Sequence, residues 1–486
     1  MVKSSRELAI SLAMLGIVVS IILSAVGPLY ADLVGNHTTD KKIADMENKI
    51  NKMMQDSSAP LDIDENTKEE LRQLSNSSSH YQRGLSETLL GDFKVAESEF
   101  SMAIAQQIQV LSKYYFQRGN ERLLSEHFAD ALEDYTNVTN LDPKNAPAWT
   151  GKGAALGYLD RYEDALSAQN KAIEIDPKYS LAWYNKGVTL GDLGRLEEAL
   201  SAFDKAIEID PKHAPVWTGK GVILGDLGRL EEALSAFDKA IEIDPKDASA
   251  WYNKGNALND LGRNEEALSA YDKALEIDPK KVDAWYNKGN ALTGLGRNEE
   301  ALSAYDKALE IDPKNASAWY NKGNALNELS RYEEALSAYN KALEIDPKKV
   351  DAWINKGNAL NDLGRNEEAL SAYDKAIEID SKYVKAWVNR GNALNELSRY
   401  EEALSSLYRA IEIDPNTVEA WINKGNALRG LGRNEEALSG YDKAIEIDPR
   451  YALAWYNKGN ALTGLGRIEE ALSAYDKAKE IDPLHY

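Results

Sequence analysis

Cysteine is absent from all 486 residues, which excludes disulfides, thiolate metal sites and cysteine nucleophiles together. Basic residues are in the minority: 57 Lys and Arg stand against 79 Asp and Glu, a formal net charge of −22. A nucleic-acid binder needs a basic stripe to displace counterions from phosphate, and an anionic membrane surface makes the same demand. Neither partner fits this balance, so no nucleic acid is expected. Histidine is scarce, and His37, His80, His127, His213 and His485 share no motif spacing on which a metal pair or triad could be built. Gly151-Lys152 and Gly219-Lys220 are each followed by Gly rather than Ser or Thr, so they fail the phosphate-loop pattern. The expectation is a chain without catalytic residues, metal or cofactor.

What is present divides into two kinds of sequence. Residues Leu8 to Ala31 carry no charge, with Lys3 and Arg6 before them and Asp32 after. As a helix this stretch reaches about 36 Å, enough for a hydrocarbon core of roughly 30 Å. A cleaved signal peptide has a shorter apolar region of about 7–15 residues and a small-x-small cleavage site. Residues 8–31 therefore read as a retained single-pass anchor, with 1–7 in the cytoplasm and the remainder on the extracytoplasmic side, by the positive flank. Residues 32–76 read as a linker. Within it Ile43, Met46, Ile50 and Met53 alternate three and four apart, a seam two heptads long that allows weak self-association through 43–53.

Beyond the linker a single period governs the chain. All ten tryptophans are 34 residues apart, from Trp149 and Trp183 to Trp421 and Trp455. Glycine follows each Trp by four, alanine by sixteen, and proline by 28 except at Ser381. In 248–281, Trp251, Gly255, Leu258 and Leu261 share one helical face, and Gly262 suits a helix C-terminus. A second helix places Ala267, Leu268, Tyr271, Ala274 and Leu275 on its own apolar face, with Glu265 and Glu266 in the first turn, and Pro279 stops it. Neither helix can bury its stripe alone, whereas stacked neighbours can.

Trp, Gly, Ala, aromatic, Ala and Pro in this order within 34 residues closely resemble the tetratricopeptide repeat. The resemblance covers eleven repeats over 112–486, with Tyr115 standing for Trp in the first, and a degenerate one over 77–111 where Gly84, Ala96, Phe100 and Ala103 keep the spacing. It implies an all-α fold: a right-handed α-α superhelical solenoid of tetratricopeptide repeats, preceded by one N-terminal transmembrane helix, with a concave groove lined by first helices. One departure is regular. Lys, or Arg390 once, precedes the signature glycine where the family usually has Leu, its stem covering apolar surface while the ammonium reaches water. In the last repeat Lys479 replaces the Ile or Leu that packs on a following repeat, as a solvent-facing end requires.

The informative residues outside the core are asparagines. Two residues after Trp stand Asn185, Asn253, Asn287, Asn321, Asn355, Asn389, Asn423 and Asn457; five after it stand Asn256, Asn290, Asn324, Asn358, Asn392, Asn426 and Asn460. They lie three apart on one first helix, off its Trp/Gly/Leu stripe. Asn weakens a helix interior by up to about 0.7 kcal/mol against Ala, so helicity does not explain it. An amide complements a peptide unit, and regular rungs can track an extended backbone without reading its sequence. The same rungs can instead hydrogen-bond neighbouring repeats and set the pitch. Tyr252, Tyr286, Tyr320 and Tyr456, one residue after Trp, are the side chains expected to add contact.

The sequence thus points to a membrane-tethered interaction scaffold. Its partners are proteins or extended peptides, neutral to basic because the surface is acidic. The alternative is an assembly subunit of a membrane-associated complex with no groove ligand.

Overall fold

The computed structural model describes residues 80, 83, 84, 86, 87 and 93–485. The expected anchor (8–31), the linker (32–76) and the seam at 43–53 lie outside the described residues. Among those described, no helix is long and apolar enough to cross a membrane. There are 22 fully described helices and no strand, an all-helical solenoid of hairpins. The chain divides into two compact units, 1–211 and 212–486.

In the second unit sixteen helices, from Ala214–Asp226 to Ile468–Ile481, alternate between a first helix of 13 residues and a second of 14. One contact fixes each hairpin. A Cβ built on Gly255 would lie 2.5 Å from the Tyr271 ring, and Gly289 and Gly323 meet Tyr305 and Tyr339 at the same 2.5 Å. Only glycine lets the first helix lie this close to an aromatic ring that is itself only 1% exposed. Leu275, Leu309 and Leu343 are each 6% exposed, closing the layer between stacked hairpins.

The junctions are equally specified. After the first helix Gly262 takes φ +72, and the Gly262 and Arg263 amides donate to the Asn259 and Leu258 carbonyls at 2.9 Å, satisfying the last turn. Ser330 and Ser398 hold the same left-handed place at φ 59 and 58. At the second junction the Asp278 carboxylate accepts the Lys280 N–H at 3.0 Å, and the Trp285 indole N–H donates to the Pro279 carbonyl at 3.0 Å. The tryptophans are half-buried rather than core, each stapling its helix to the preceding turn. Ser381 still accepts from Trp387 at 3.0 Å, because the acceptor is backbone. The glutamates of the second helices form a solvated face, Glu265 being 69% exposed, and they are ion-paired along it. Arg297 grips Glu300 of its own helix at 2.6 Å and reaches Glu265 of the preceding repeat at 3.3 Å.

Two places differ from expectation. In the first unit one helix, Phe93–Leu124, runs through the boundary expected between 111 and 112, because residues 105–118 hold no Pro or Gly to end it. At the last repeat Lys479 is the only polar replacement on its face: Leu472 is 57% and Ile468 53% exposed, where Leu268 and Leu302 are 7%.

Two substitutions test this frame in urea unfolding followed by circular dichroism. Gly255→Ala drives a methyl into Tyr271 and is expected to cost about 1–3 kcal/mol. Ser330→Gly relieves a left-handed non-glycine residue and is expected to stabilise by about 0.5–1 kcal/mol.

Candidate functional site

The asparagine rows form one connected network in the second unit. The Tyr271 hydroxyl, brought to the first helix by the glycine contact, donates to Asn256 Oδ1 at 2.9 Å. From the next repeat Asn287 Nδ2 donates to the same oxygen at 2.9 Å and to the Tyr252 hydroxyl at 3.1 Å. The pattern repeats with Tyr305, Asn290, Asn321 and Tyr286 at 2.8–3.0 Å, and with Tyr339, Asn324, Asn355 and Tyr320 at 2.9–3.1 Å. Asn358 accepts from Tyr373 and from Asn389 at 2.9 Å each. Each plus-five carbonyl thus takes one donor from its own second helix and one from the following repeat. Each plus-two amide spends its N–H groups in the same knot.

The regularity fails in one stretch, for a reason visible in single residues. Ile354, Val388 and Ile422 replace the plus-one tyrosine, so Asn389 has no phenol to reach. Leu407 replaces the buried tyrosine. It still meets Gly391, its Cγ 2.6 Å from a built Cβ, but carries no hydroxyl, so Asn392 receives nothing. Among the described residues the side chains of Asn253, Asn392, Asn423 and Asn457 make no hydrogen bond. Beyond the break Asn426 and Asn460 accept from Tyr441 and Tyr475 at 2.8 and 2.9 Å. Tyr456 stands 5.5 Å from the Tyr475 ring and is 38% exposed.

A third row, missed in the sequence, continues the stripe at eight residues after Trp: Asn259, Asn327, Asn361 and Asn395. The carbonyl oxygens of Asn327, Asn361 and Asn395 are buried without a donor, and Asn395 Nδ2 donates to the Asn423 carbonyl at 3.0 Å. The signal was available, since these residues recur at 34 and lie three beyond the plus-five row. A cleft of about 520 Å³ is lined by Asn324, Asn327, Asn355 and Asn358 with Asn298 and Glu328. Its chemistry is mostly amide donors and acceptors, with the Thr293 and Tyr339 hydroxyls and one carboxylate.

A right-angled choice between core and surface does not describe these tyrosines, which are buried at the ring and bonded at the hydroxyl. Burial pushes Tyr305 and Tyr441 up to about 12 and raises Tyr271, Tyr339 and Tyr373 as well.

The fold and site define a stacked-hairpin solenoid with an amide-rich face along its first helices. Tetratricopeptide repeat models match residues 116–180, 218–282, 278–316 and 286–350; others of that name match 180–213, 384–417 and 452–484, and 338–371. A model described as TPR repeat matches 357–398 and 425–466. Together these cover well over half of the chain, and it belongs to the tetratricopeptide repeat family. No curated protein matches it. Among solved structures it is similar to YrrB, described as a TPR protein with an unusual peptide-binding site, at 32% identity over 39% of this chain and 97% of that one, TM-score 0.35. It is also similar to yeast Tom70, at 16% identity over 76% and 92%, TM-score 0.38. A tetratricopeptide repeat protein from Parabacteroides merdae shares 21% identity over 51% and 98%, TM-score 0.39.

Two expectations follow. Asn324→Ala removes the acceptor of both Tyr339 and Asn355 and should cost about 1–3 kcal/mol in urea unfolding, because a buried phenol is left unbonded. Asn392→Ala breaks no bond and should stay within about 0.5 kcal/mol. The phenols set the alkaline limit. An unfolded tyrosine releases its proton near pH 10, about, while folded Tyr305 and Tyr441 hold theirs to about 12. Their contribution is complete below the unfolded value and is lost as pH rises through the folded one. The urea midpoint should therefore hold from neutral pH to about 10 and fall steeply towards 12, in step with phenolate absorbance.

Proposed function

We propose that this chain is a membrane-tethered scaffold that binds extended peptide segments of partner proteins along the asparagine-lined face of its first helices. The observation that carries this reading is the stretch around Asn361–Asn426. There the side chains of Asn392 and Asn423 make no hydrogen bond among the described residues, because Leu407 brings Asn392 no hydroxyl and Val388 offers Asn423 no phenol. A peptide N–H donates to the free side-chain carbonyls of Asn392 and Asn423, and a peptide C=O accepts from their amides. The knotted asparagines, Asn256, Asn290, Asn324 and Asn358, serve the frame and contribute at most the outward half of each amide.

Magnitude limits the mode of binding. Each hydrogen bond contributes about 0.5–1.5 kcal/mol and association costs at least about 4 kcal/mol, so a ligand must span several repeats. The acidic surface, including Glu328 in the cleft, selects neutral to basic segments. Residues 8–31 tether the array at the membrane on the extracytoplasmic side, which raises local concentration without new contacts. No catalysis, metal or cofactor enters this reading. The second reading, an assembly subunit with an empty groove, is favoured by the saturation of the plus-five carbonyls between Asn256 and Asn358, which bind repeat to repeat.

The test is capture of extended peptides of mixed sequence by the detergent-solubilised full chain. Asn392→Ala with Asn423→Ala should weaken capture about tenfold while helicity and melting hold; unchanged capture would leave only the second reading. Protease added to intact cells should remove the repeats, and protection until lysis would place them in the cytoplasm.

A further inference from the structure

The lysine that stands three residues after every tryptophan but Trp387 does not simply reach water. Its ammonium lies 4.6–5.8 Å from the centroid of its own indole ring, as at Lys152, Lys220, Lys288 and Lys424, a cation–π contact. In four repeats a carboxylate of the preceding second helix grips it as well. Lys254 meets Asp238, Lys288 meets Asp272 and Lys458 meets Asp442 at 2.6 Å, and Lys322 meets Asp306 at 2.5 Å. The aspartate always stands sixteen residues before its lysine. Sixteen residues before Lys152, Lys186, Lys356 and Lys424 stand Thr136, Asn170, Asn340 and Tyr408. Among the described residues these four lysines have no ion pair.

The other charges around them do not compensate. Lys152 faces Asp164 and Arg161, which pair with each other at 2.7 Å. Lys186 faces Glu198 and Arg195, paired at 2.8 Å, and Lys356 faces Glu368 and Arg365, paired at 2.7 Å. Lys424 faces Glu436, already held by Arg433 at 2.6 Å, and sits between the rings of Tyr408 and Trp421 at 4.9 and 4.6 Å. Burial lowers the pKa of all four. Both sets are half-buried. The paired lysine side chains are 22–26% exposed, and the unpaired residues are likewise half-buried.

We propose that Lys152, Lys186, Lys356 and Lys424 are the acyl-accepting amines of this array, modified by activated donors of the thioester class. The neutral amine attacks the acyl carbon, an N–C bond forms, the C–S bond breaks, and the proton lost from nitrogen ends on the departing thiolate. At these positions acylation removes a half-buried cation that nothing neutralises. At Lys288 the same change would strand the carboxylate of Asp272. The four unpaired lysines are therefore both the readier nucleophiles and the sites where the fold tolerates the product.

The experiment uses the full chain in detergent, a limiting acetyl thioester of coenzyme A at constant pH, and mass-spectrometric occupancy at each lysine over time. The four unpaired lysines should be acetylated several-fold faster than Lys254, Lys288, Lys322 and Lys458. Asn340→Asp should slow Lys356 to the paired class and leave Lys424 unchanged, and Asp272→Asn should bring Lys288 up to the unpaired class, with helicity intact in both. Equal rates across the eight lysines, or an Asn340→Asp chain in which Lys356 reacts as before, would overturn the proposal.

Discussion

The close approach of a glycine to a buried aromatic ring is the constraint on which the array depends. With no Cβ on Gly255 the first helix settles against Tyr271, and the ring is covered because two backbones have come together. The phenol oxygen is thereby delivered to one point on the first helix, where Asn256 accepts it at 2.9 Å. The same carbonyl has capacity for a second donor, which Asn287 of the next repeat supplies at 2.9 Å. Packing within a hairpin thus sets register between hairpins. Leu407 separates the two roles: the packing against Gly391 survives, the hydroxyl is gone, and the rung at Asn392 comes undone.

Charge follows the same period with less energy at stake. Each exposed Arg–Glu or Lys–Asp pair contributes about 0–1 kcal/mol, yet Arg297, Arg331, Arg365 and Arg399 each link a glutamate of their own helix to one of the preceding repeat. Such a ladder orients neighbours more than it stabilises them, and salt screens it. Because the pairs are nearly identical from repeat to repeat, a single change stands out. Asn340 in place of aspartate converts a neutralised lysine at 356 into an uncompensated one.

The repeat was legible because a 34-residue period writes one answer many times, and helix pairing, turn glycine and Asp-Pro stop could be read from one copy. The asparagine rows were legible as rows. Their partners were not, since Asn256 and Tyr271 are fifteen apart on different helices and Asn287 lies on a third. The plus-eight row escaped notice although it shares the period, and tryptophan, read only as a member of the first-helix stripe, is a half-buried staple whose indole N–H holds the preceding turn. Across 111/112 one helix, Phe93–Leu124, runs on without a break, and residues 105–118 hold neither Pro nor Gly.

By itself the sequence determined that this chain folds as stacked helical hairpins, because hydrophobic spacing, glycine and proline act locally and repeat without interruption. Only the tertiary structure decided which asparagines are spent and which are free, and which lysines are neutralised. Hydrogen bonds and ion pairs are satisfied between helices, by whatever side chain the neighbouring repeat brings within about 3 Å. A missing hydroxyl at Leu407 or a missing carboxylate at Asn340 has meaning only when the residue it would have met is known.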